Sequence, residues 1–438
     1  MSRLKLIVQP AASPLAGRVT PPGDKSVSHR AAIFGGLARG TTRIEGFLEA
    51  EDTLATLAAM AGLGAEVTRE VGSVRIEGGR LRAPSGPLDM GNSGTGMRLL
   101  AGALCGHPDL FDSRVELTGD ASLSRRPMQR IIEPLGEMGA YIESRDGYAP
   151  LLIKPRPLKP LNRRLSVASA QVKSAILLAG LNAEGETRVG EPRVSRDHTE
   201  RLLPAFGVAV DRGDGEASLR GPARLDGAEI TVPGDLSSAA FLIAAAALVP
   251  QSAITVGPVG VNPTRDGFLR ILERMAPGAV ARREITGAGA GAEPVALIEV
   301  SSVSCLCGVH VPEAWVPLAI DEFPLVMAMA AAGQGETVIS GAAELRVKES
   351  DRLAVMSRQL RRLGVDVEER PEGATVRGGR VRGGRVESEG DHRIAMSLAV
   401  LALVAEAPVE IDGAEWIRTS YPAFAEHLQS LGARLQWR

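Results

Sequence analysis

The chain has 438 residues, which is more than one ordinary domain, so we expect two domains. Its 50 basic and 52 acidic side chains give a formal net charge of -2, which excludes a global attraction to nucleic acid or to anionic lipid. Aromatic residues are only 3% of the chain, too few for the stacking surfaces of single-strand binders. Three cysteines and no recognisable signal peptide or membrane span predict a cytoplasmic protein that contacts neither membrane nor nucleic acid.

One local pattern occurs six times along the chain: a start of small or polar residues, followed by a helix rich in Ala and Leu. In chain order the starts are residues 22–26, 91–94, 169–171, 233–237, 321–324 and 390–393. The helices that follow are apolar nearly all round, which predicts that they are buried. The first and fourth starts both read Pro-Gly-Asp-x-Ser, so the second half of the chain echoes the first, but only the first copy has the lysine.

Short β-like stretches bounded by Gly or Asp turns lie between these helices. They are residues 74–76, 115–117, 230–232, 254–256 and 375–376, and residues 4–8 form a further strand that belongs to no unit yet. Amphipathic helices are predicted at residues 53–60, 128–138 and 351–363. Together these elements predict an α/β fold of six units in two groups of three, and the boundary between the groups lies near Pro233. The Gly-rich residues 287–291 predict a short flexible loop.

The first start, PPGDKSVSHR, has the features of an anion site. Asp24 or Ser26 can cap the helix. Lys25 and His29 are four residues apart, as are Ser26 and Arg30, so cations and a hydroxyl lie on the first turns beside free N–H groups. A capped surface helix with solvated charges also fits Lys25 alone, but a buried helix that begins with cations favours a ligand.

Two further segments of the first half could bind anions. The three glycines of GNSGTGMR allow backbone N–H groups to approach a ligand, although the ending of a nucleotide-binding P-loop is absent. Arg126 precedes Pro127 at a predicted helix start, where its guanidinium would point along the helix axis toward a phosphate or carboxylate. A flexible turn and a solvated arginine are the alternatives.

The second half has a dense charged segment, ELRVKESDRL. Lys348 and Glu349 lie four and three residues before Arg352, a spacing typical either of a solvated helix face or of an acid/base carboxylate tuned by two cations. Asp321 and Glu322 precede a predicted buried helix, where carboxylates are costly unless they are paired or functional. No pair among the six histidines has a metal-binding spacing, so no metal or other cofactor is expected.

The motifs PGDKSVSHR, GNSGTGMR, GDASLSRRPM, SAQVKSA, SRDHTERL, IDEFP, ELRVKESDRL and GDHRIAMS, in this order, closely resemble those of the 5-enolpyruvylshikimate-3-phosphate synthase family. The resemblance implies two similar globules, each of three βαβαββ units, in an inside-out α/β barrel arrangement with the active site in the inter-domain cleft. The implied globules are residues 21–233, and residues 1–20 together with 234–438.

By this resemblance the chain is a 3-phosphoshikimate 1-carboxyvinyltransferase of aromatic amino-acid and chorismate biosynthesis. It transfers the enolpyruvyl group of phosphoenolpyruvate to the 5-hydroxyl of shikimate 3-phosphate and releases phosphate. The reaction is an addition followed by an elimination through a tetrahedral intermediate, without a cofactor. Both substrates are multiply anionic, which explains the number of cations. These two small molecules are the implied partners, and the enzyme is expected to be a monomer.

The resemblance also implies a role for each matching residue. Asp321 resembles the base for the 5-hydroxyl, and Glu349 with Lys25 resembles the proton donor to the methylene carbon. The implied shikimate 3-phosphate contacts are Lys25, Ser26, Arg30, Ser169, Gln171, Arg196, Asp321 and Lys348. The implied phosphoenolpyruvate contacts are Lys25, Gly94, Arg126, Gln171, Arg352 and Arg393.

Two positions depart from the family pattern. Ala170 replaces a serine found in some members, so Arg196 is the candidate for the missing phosphate contact. Many members have a lysine just before Pro422, which this chain lacks, and whether Arg418 substitutes for it is open.

The main alternative function is the sister transferase that acts on UDP-N-acetylglucosamine. That enzyme typically has asparagine after its lysine and a cysteine in the loop before its Arg-Pro, whereas this chain has Ser26 and no cysteine in residues 120–126. An RNA 3′-phosphate cyclase would need a basic surface, which the charge balance disfavours. A binding protein without activity would be expected to have lost Asp321, Glu349 or the arginines, and all are present.

Overall fold

The chain passes between two compact units at two Pro-Gly steps, Pro22-Gly23 and Pro233-Gly234. The computed structural model describes residues 4–70, 72–285 and 293–438. The first unit comprises the described residues of Gly23–Pro233 together with Glu293, and the second comprises those of Met1–Pro22, Gly234–Gly287 and Pro294–Arg438. The loop predicted at residues 287–291 lies outside the described residues.

The secondary-structure elements are short and alternate along the chain. The strands are β1 (Lys5–Val8), β2 (Ala16–Val19), β3 (Gly40–Glu45), β4 (Glu66–Glu70), β5 (Ser73–Gly78), β6 (Leu88–Asp89), β7 (Val115–Thr118), β8 (Tyr141–Arg145), β9 (Tyr148–Lys154), β10 (Asn162–Arg164), β11 (Gly185–Gly190), β12 (Asp211–Gly213), β13 (Glu216–Gly221), β14 (Glu229–Thr231), β15 (Ala253–Gly260), β16 (Val280–Ile285), β17 (Val295–Ser301), β18 (Glu336–Ile339), β19 (Asp366–Arg370), β20 (Gly373–Arg377), β21 (Gly384–Glu387), β22 (Val409–Asp412) and β23 (Leu435–Trp437). The α-helices are α1 (Lys25–Leu37), α2 (Glu51–Gly62), α3 (Gly94–Leu104), α4 (Gln129–Glu137), α5 (Ala170–Gly180), α6 (His198–Leu202), α7 (Leu236–Leu248), α8 (Gly267–Met275), α9 (Val316–Ala319), α10 (Phe323–Ala332), α11 (Arg352–Arg362), α12 (His392–Ala402) and α13 (Phe424–Ser430). Turns of 3-10 helix occur at Pro108–Leu110, Leu123–Arg125, Leu203–Phe206, Glu313–Trp315, Ala343–Val347 and Ala414–Thr419.

The sheets of both units repeat one strand order. The four-stranded sheets of the first unit are β14-β3-β5-β4, β6-β7-β9-β8 and β10-β11-β13-β12, and those of the second are β2-β15-β17-β16 and β21-β22-β1-β23. In each, the first pair is parallel and the other two pairs are antiparallel. The sixth sheet, β18-β20-β19, is antiparallel, and a single parallel bridge from His310 to Val338 takes the place of its fourth strand.

The two Pro-Gly steps change which strand completes each sheet. β2 comes before α1 in sequence but pairs with β15, and β14 comes before α7 but pairs with β3, where Ile230 lies opposite Ile44. In the first unit the N–H of Asp24 donates to the carbonyl of Pro233 at 2.8 Å. In the second unit the N–H of Asp235 donates to the carbonyl of Pro22, also at 2.8 Å. Each unit is therefore closed by a backbone contact between segments about two hundred residues apart, which a local pattern does not reveal.

The six predicted buried helices are all present, as α1, α3, α5, α7, α10 and α12. Every residue of α7 and of α12 is buried, which confirms the interpretation of their unbroken apolar sequences. The amphipathic predictions are confirmed as α2, α4 and α11, and the strand that had no unit is β1, between β22 and β23. Among the described residues no single helix combines the length and hydropathy of a membrane span, although the bent pair Glu313–Ala319 and Phe323–Ala332 does so jointly.

We expect the closeness of α3 and α5 to make Gly102 intolerant of any side chain. A Cβ at Gly102 would lie 2.7 Å from the Cα of Ala175, so the two helices would have to separate. Gly102→Ala should lower the free energy of unfolding by about 1–3 kcal/mol, measured by urea denaturation. Gly136→Ala in α4 is the matched control, because a Cβ there meets nothing within 4 Å and should stabilise the helix by about 0.5–1 kcal/mol. Equal effects of the two substitutions would contradict this close packing.

Candidate functional site

The first helix start of the first unit places Lys25 beside a carboxylate. Asp24 is the cap, because its Oδ1 accepts from the N–H of Val27 at 2.9 Å. The ammonium of Lys25, whose side chain is 19% exposed, forms an ion pair with Asp52 at the start of α2. Asp52 was not singled out in the sequence, where it is one of two acidic residues at an ordinary helix start. An anion that binds Lys25 therefore meets a lysine already held in place.

Arg30 is buried behind Lys25 and makes three hydrogen bonds. It donates to Thr199 Oγ1 at 2.7 Å, to Ser174 Oγ at 2.8 Å and to the carbonyl of Ser26 at 2.9 Å. Burial lowers its pKa to about 10, with Glu200 the strongest opposing charge and Arg196 reinforcing the decrease. Arg30 thus stays charged at neutral pH, and the charge of Arg196 contributes to the lowering of its pKa.

His29 is a buried neutral residue rather than a further cation. Burial lowers its pKa well below the usual value, and the charges of Lys25 and Arg30 act in the same direction. Its Nδ1 is 2.8 Å from Thr56 Oγ1, a contact that fixes the ring between α1 and α2. Among the basic residues of this helix start, Lys25 and Arg30 therefore provide the positive charge.

Two arginines lie against Gly94 at the start of α3. Ser93 caps this helix by accepting from the N–H of Gly96 at 3.0 Å. A Cβ on Gly94 would lie 3.0 Å from Nη1 of Arg98 and 3.2 Å from Nη1 of Arg126. Gly94 is buried, and its missing side chain lets two guanidinium groups pack directly against the helix start, a geometry suited to a carboxylate or phosphate. Arg98 belongs to the motif GNSGTGMR, but its sequence position predicts no role for it.

Arg126 points elsewhere than its sequence position suggested. The prediction that it lies along the axis of the helix after Pro127 is wrong, because α4 begins only at Gln129 and Arg126 ends a 3-10 turn. Its guanidinium instead donates to the side chain of Asn92 and, at 3.3 Å, to the Asn92 carbonyl, just before α3. Long-range contacts of this kind are not visible in local sequence.

Gln171 joins this group from α5. Its amide oxygen accepts from Arg98 Nη1 at 2.6 Å, and its amide nitrogen donates to Thr95 Oγ1 at 2.9 Å. Ser169 caps α5 by accepting from the N–H of Val172 at 3.4 Å. The first unit therefore brings Gly94, Gln171 and the two arginines together at the starts of α3 and α5.

In the second unit, Arg352 is the centre of the predicted group. It is 1% exposed and donates to Asp391 at 2.8 Å, to Asp321 at 3.1 Å and to Glu349 at 2.5 Å. Burial alone would lower the pKa of Arg352, but the three carboxylates outweigh it and raise the pKa above the usual value. Burial alone would raise the pKa of Asp391, and Arg352 reverses that shift. Asp391 lies in the motif GDHRIAMS, and the sequence predicts no role for it.

Lys348 and Arg393 complete this group. Burial lowers the pKa of Lys348, and Asp321 is the strongest charge opposing the decrease. Arg393 lies between carboxylates, with Nη2 4.0 Å from Asp321 and Nη1 3.6 Å from Glu322. The costly carboxylates before α10 are thus both paired with buried arginines, as the sequence required.

The fourth helix start also has a cation, supplied from another segment. Arg265, after β15, donates to Asp235 at 3.0 Å and to Ser237 Oγ at 2.5 Å. Ser237 in turn donates to Glu322, which faces Arg393. Sequence reasoning missed Arg265 because nothing in its local pattern indicates a partner thirty residues away.

Arg418 lies over an aromatic ring of the second unit. Its guanidinium is 5.9 Å from the ring centroid of Trp437, within the range of a cation–π contact. The residue itself is exposed. This contact accounts for its position without a ligand.

The comparisons with known proteins agree across the whole chain. Residues 10–428 match the family model described as EPSP synthase (3-phosphoshikimate 1-carboxyvinyltransferase). The 3-phosphoshikimate 1-carboxyvinyltransferase of Acidithiobacillus ferrooxidans is 52% identical over 437 residues, covering 99% of each chain. That of Xanthomonas campestris pv. campestris is 50% identical over 430 residues, covering 97% of this chain and 96% of the relative. A solved EPSP synthase from Acinetobacter baumannii has a TM-score of 0.87 at 45% identity and covers 99% of this chain and 100% of its own.

The ion pair of Arg352 and Asp391 predicts how stability depends on pH. Because the folded pKa of Asp391 is lowered, its stabilisation is present above the unfolded pKa of about 3.9 and is lost as the pH falls through the folded pKa. Asp391→Asn should destabilise the chain at pH 7 by about 3–5 kcal/mol. The difference in the free energy of unfolding between Asp391→Asn and the natural chain should shrink below a pH of about 4, as measured by chemical denaturation.

The control for this experiment is Asp366→Asn, which removes a carboxylate from an exposed pair with Arg377 at 3.2 Å. It should leave the denaturation midpoint nearly unchanged at every pH, because exposed ion pairs contribute little. If the difference in unfolding free energy between the natural chain and Asp391→Asn grows on acidification, the pairing of Arg352 with Asp391 is contradicted.

Proposed function

Because the chain belongs to the EPSP synthase family and is a 3-phosphoshikimate 1-carboxyvinyltransferase, we propose that the cations at the helix starts of its two units bind its anionic substrates. The reaction transfers the enolpyruvyl group of phosphoenolpyruvate to shikimate 3-phosphate in aromatic amino-acid biosynthesis. The main support for this assignment of the site is that each unit holds several of its predicted residues in one connected group: Gly94, Arg126 and Gln171 in the first unit, and Asp321, Glu349, Arg352 and Arg393 in the second.

Shikimate 3-phosphate is the proposed ligand of one set of residues. Arg30 and Arg196 are both in the first unit, and Lys25 begins the same helix as Arg30. Cations near a helix N-terminus fit a phosphate dianion, and the hydroxyls of Ser26 and Ser169 fit the hydroxyls or phosphate of the ligand. The full proposed set is Lys25, Ser26, Arg30, Ser169, Gln171, Arg196, Asp321 and Lys348.

Phosphoenolpyruvate is the proposed ligand of the second set. Two guanidinium groups pack directly against Gly94, which suits the bidentate binding of a phosphate or carboxylate. Arg352 and Arg393 provide two more guanidinium groups in the second unit. The proposed set is Lys25, Gly94, Arg126, Gln171, Arg352 and Arg393, and Arg98 supports it by holding Gln171.

Two carboxylates are proposed to move protons. Asp321 removes the proton from the 5-hydroxyl as its oxygen attacks the substituted carbon of phosphoenolpyruvate, while Glu349 with Lys25 delivers a proton to the methylene carbon. Loss of phosphate and of a methyl proton then restores the double bond. The Asp321 and Glu349 side chains are 15% and 20% exposed, and both hydrogen-bond Arg352, which fixes their relative position.

The alternative acceptor, UDP-N-acetylglucosamine, is not favoured. The matched family and the curated relatives are 3-phosphoshikimate 1-carboxyvinyltransferases over nearly the full length. The experiment that tests the function is phosphate release. We expect release when phosphoenolpyruvate and shikimate 3-phosphate are both present, and none with either substrate alone.

The chain is further proposed to work as a cytoplasmic monomer. Its three cysteines are free: Cys105 is buried, Cys305 half-buried and Cys307 exposed. An exposed free thiol fits a reducing compartment. Light scattering during size-exclusion chromatography should give a mass near 45.9 kDa.

The proposed base can be tested by Asp321→Asn. The amide keeps an acceptor for Arg352 but removes the basic oxygen, so turnover should fall by about 10²–10⁴-fold. Binding of shikimate 3-phosphate, measured by calorimetry, should change by less than about threefold. Asp366→Asn, at an exposed ion pair, is the control and should keep full turnover. Weakened binding with unchanged turnover would contradict the assignment.

A further inference from the structure

A lysine lies inside α5, among otherwise apolar and small residues. Lys173 is 4% exposed, and its ammonium is 2.7 Å from Glu191 and 2.9 Å from Glu200. Both carboxylates are buried as well. Burial alone would lower the pKa of Lys173, but Glu200 and Glu191 outweigh it and raise the pKa above the usual value. The lysine is therefore charged, and the mechanism described above does not use it.

Glu191 connects two segments that hold proposed ligand-binding residues. Its Oε1 accepts from the N–H of Ser169 at 2.9 Å, at the start of α5. Its carboxylate also accepts from Ser195, through the hydroxyl at 2.6 Å and the N–H at 3.3 Å. Ser195 directly precedes Arg196 in the sequence. One carboxylate therefore sets the distance between Ser169 and the segment that contains Arg196.

Glu200 extends the same group toward Arg30. It is the strongest charge that opposes the lowering of the Arg30 pKa. Thr199, its neighbour in α6, accepts from Arg30 at 2.7 Å and is 2.7 Å from Ser174 of α5. Lys173 and Arg30 together balance the two negative charges of Glu191 and Glu200, which a buried site requires.

We propose that Lys173 and Glu191 are positioning residues for shikimate 3-phosphate, an inference that rests on the proposed binding roles of Ser169 and Arg196. Lys173 forms an ion pair with the Glu191 carboxylate. The same carboxylate accepts hydrogen bonds that order Ser169 and Ser195. The pair touches neither substrate in this scheme. It keeps a hydroxyl and a guanidinium at a fixed separation before the ligand arrives, which reduces the entropy lost on binding.

Glu191→Gln is the direct test. The amide keeps the size of the side chain but places an NH₂ group where Lys173, Ser169 and Ser195 all donate. We expect the KM for shikimate 3-phosphate to rise at least tenfold, while kcat and the KM for phosphoenolpyruvate change less than threefold. A purely structural role would instead lower the active fraction and the melting temperature without a selective change in one KM.

Glu216→Gln is the matched control. Glu216 is in the same unit and pairs with Arg188 at 3.4 Å on an exposed surface, so the same substitution there should change neither KM. If Glu191→Gln does not fold, Ser195→Ala removes one hydroxyl from the same carboxylate without disturbing a buried charge. It should raise the KM for shikimate 3-phosphate in the same selective way, by about threefold.

A double variant tests the pairing with Lys173. Lys173→Met leaves Glu191 and Glu200 facing each other without their cation and should raise the same KM at least tenfold. Lys173→Met combined with Glu191→Gln restores the charge balance, so the thermal stability lost in Lys173→Met should be partly recovered. Additive losses of stability in the double variant would contradict the coupling of the pair.

Ser169→Ala and Arg196→Ala separate this inference from the proposed function. If both weaken shikimate 3-phosphate binding while folded Glu191→Gln and Lys173→Met bind it normally, the positioning role is wrong and the proposed site stands. If neither Ser169→Ala nor Arg196→Ala weakens binding, the proposed site itself is wrong. Weakened binding in all four variants, with normal binding in Glu216→Gln, is the expected result.

Discussion

A charged side chain inside a protein must be balanced by opposite charge, and this constraint governs both units. Arg352 is the clearest case, because its single guanidinium binds carboxylates that precede three different helices: Asp321 before α10, Glu349 before α11 and Asp391 before α12. The three helix starts are thereby fixed to one another. Removing any one carboxylate leaves the charge of Arg352 only partly balanced. The group is therefore a structural junction as well as a catalytic candidate.

The first unit meets the same constraint with a different arrangement. There Lys173 and Arg30, which is itself a proposed phosphate contact, balance Glu191 and Glu200. Lys25 and Arg126, which are proposed to bind substrate, and Arg98 are also held by hydrogen bonds or ion pairs to protein groups. Cations that are already ordered bind an anion with little further loss of entropy. The buried charges and the proposed ligand-binding cations thus form one electrostatic arrangement.

The backbone places these charges at helix starts by repeating one unit. Each unit holds three of the buried helices, and side-chain hydrogen bonds link the starts of α3 and α5 in the first unit and of α10, α11 and α12 in the second. The exchange of β2 and β14 closes the units through reciprocal bonds at Asp24 and Asp235. The fourth start has lost the lysine of the first, and Arg265 now binds its aspartate and serine. The proposed ligand cation of one copy therefore corresponds to a structural ion pair in the other.

The sequence by itself determined the six buried helices, six of the 23 strands in the described residues and the family, because apolar periodicity and short motifs are local properties. It also indicated that the carboxylates before α10 need partners. Only the tertiary structure decided which charges pair. Arg352 and Asp391 are 39 residues apart, and Arg265 and Asp235 are 30 apart, distances over which no pattern of sequence specifies contact. The direction of Arg126 was predicted wrongly for the same reason: its partner Asn92 is 34 residues away in the sequence, before α3. Local chemistry sets where the helices begin, and long-range packing sets which side chains meet there.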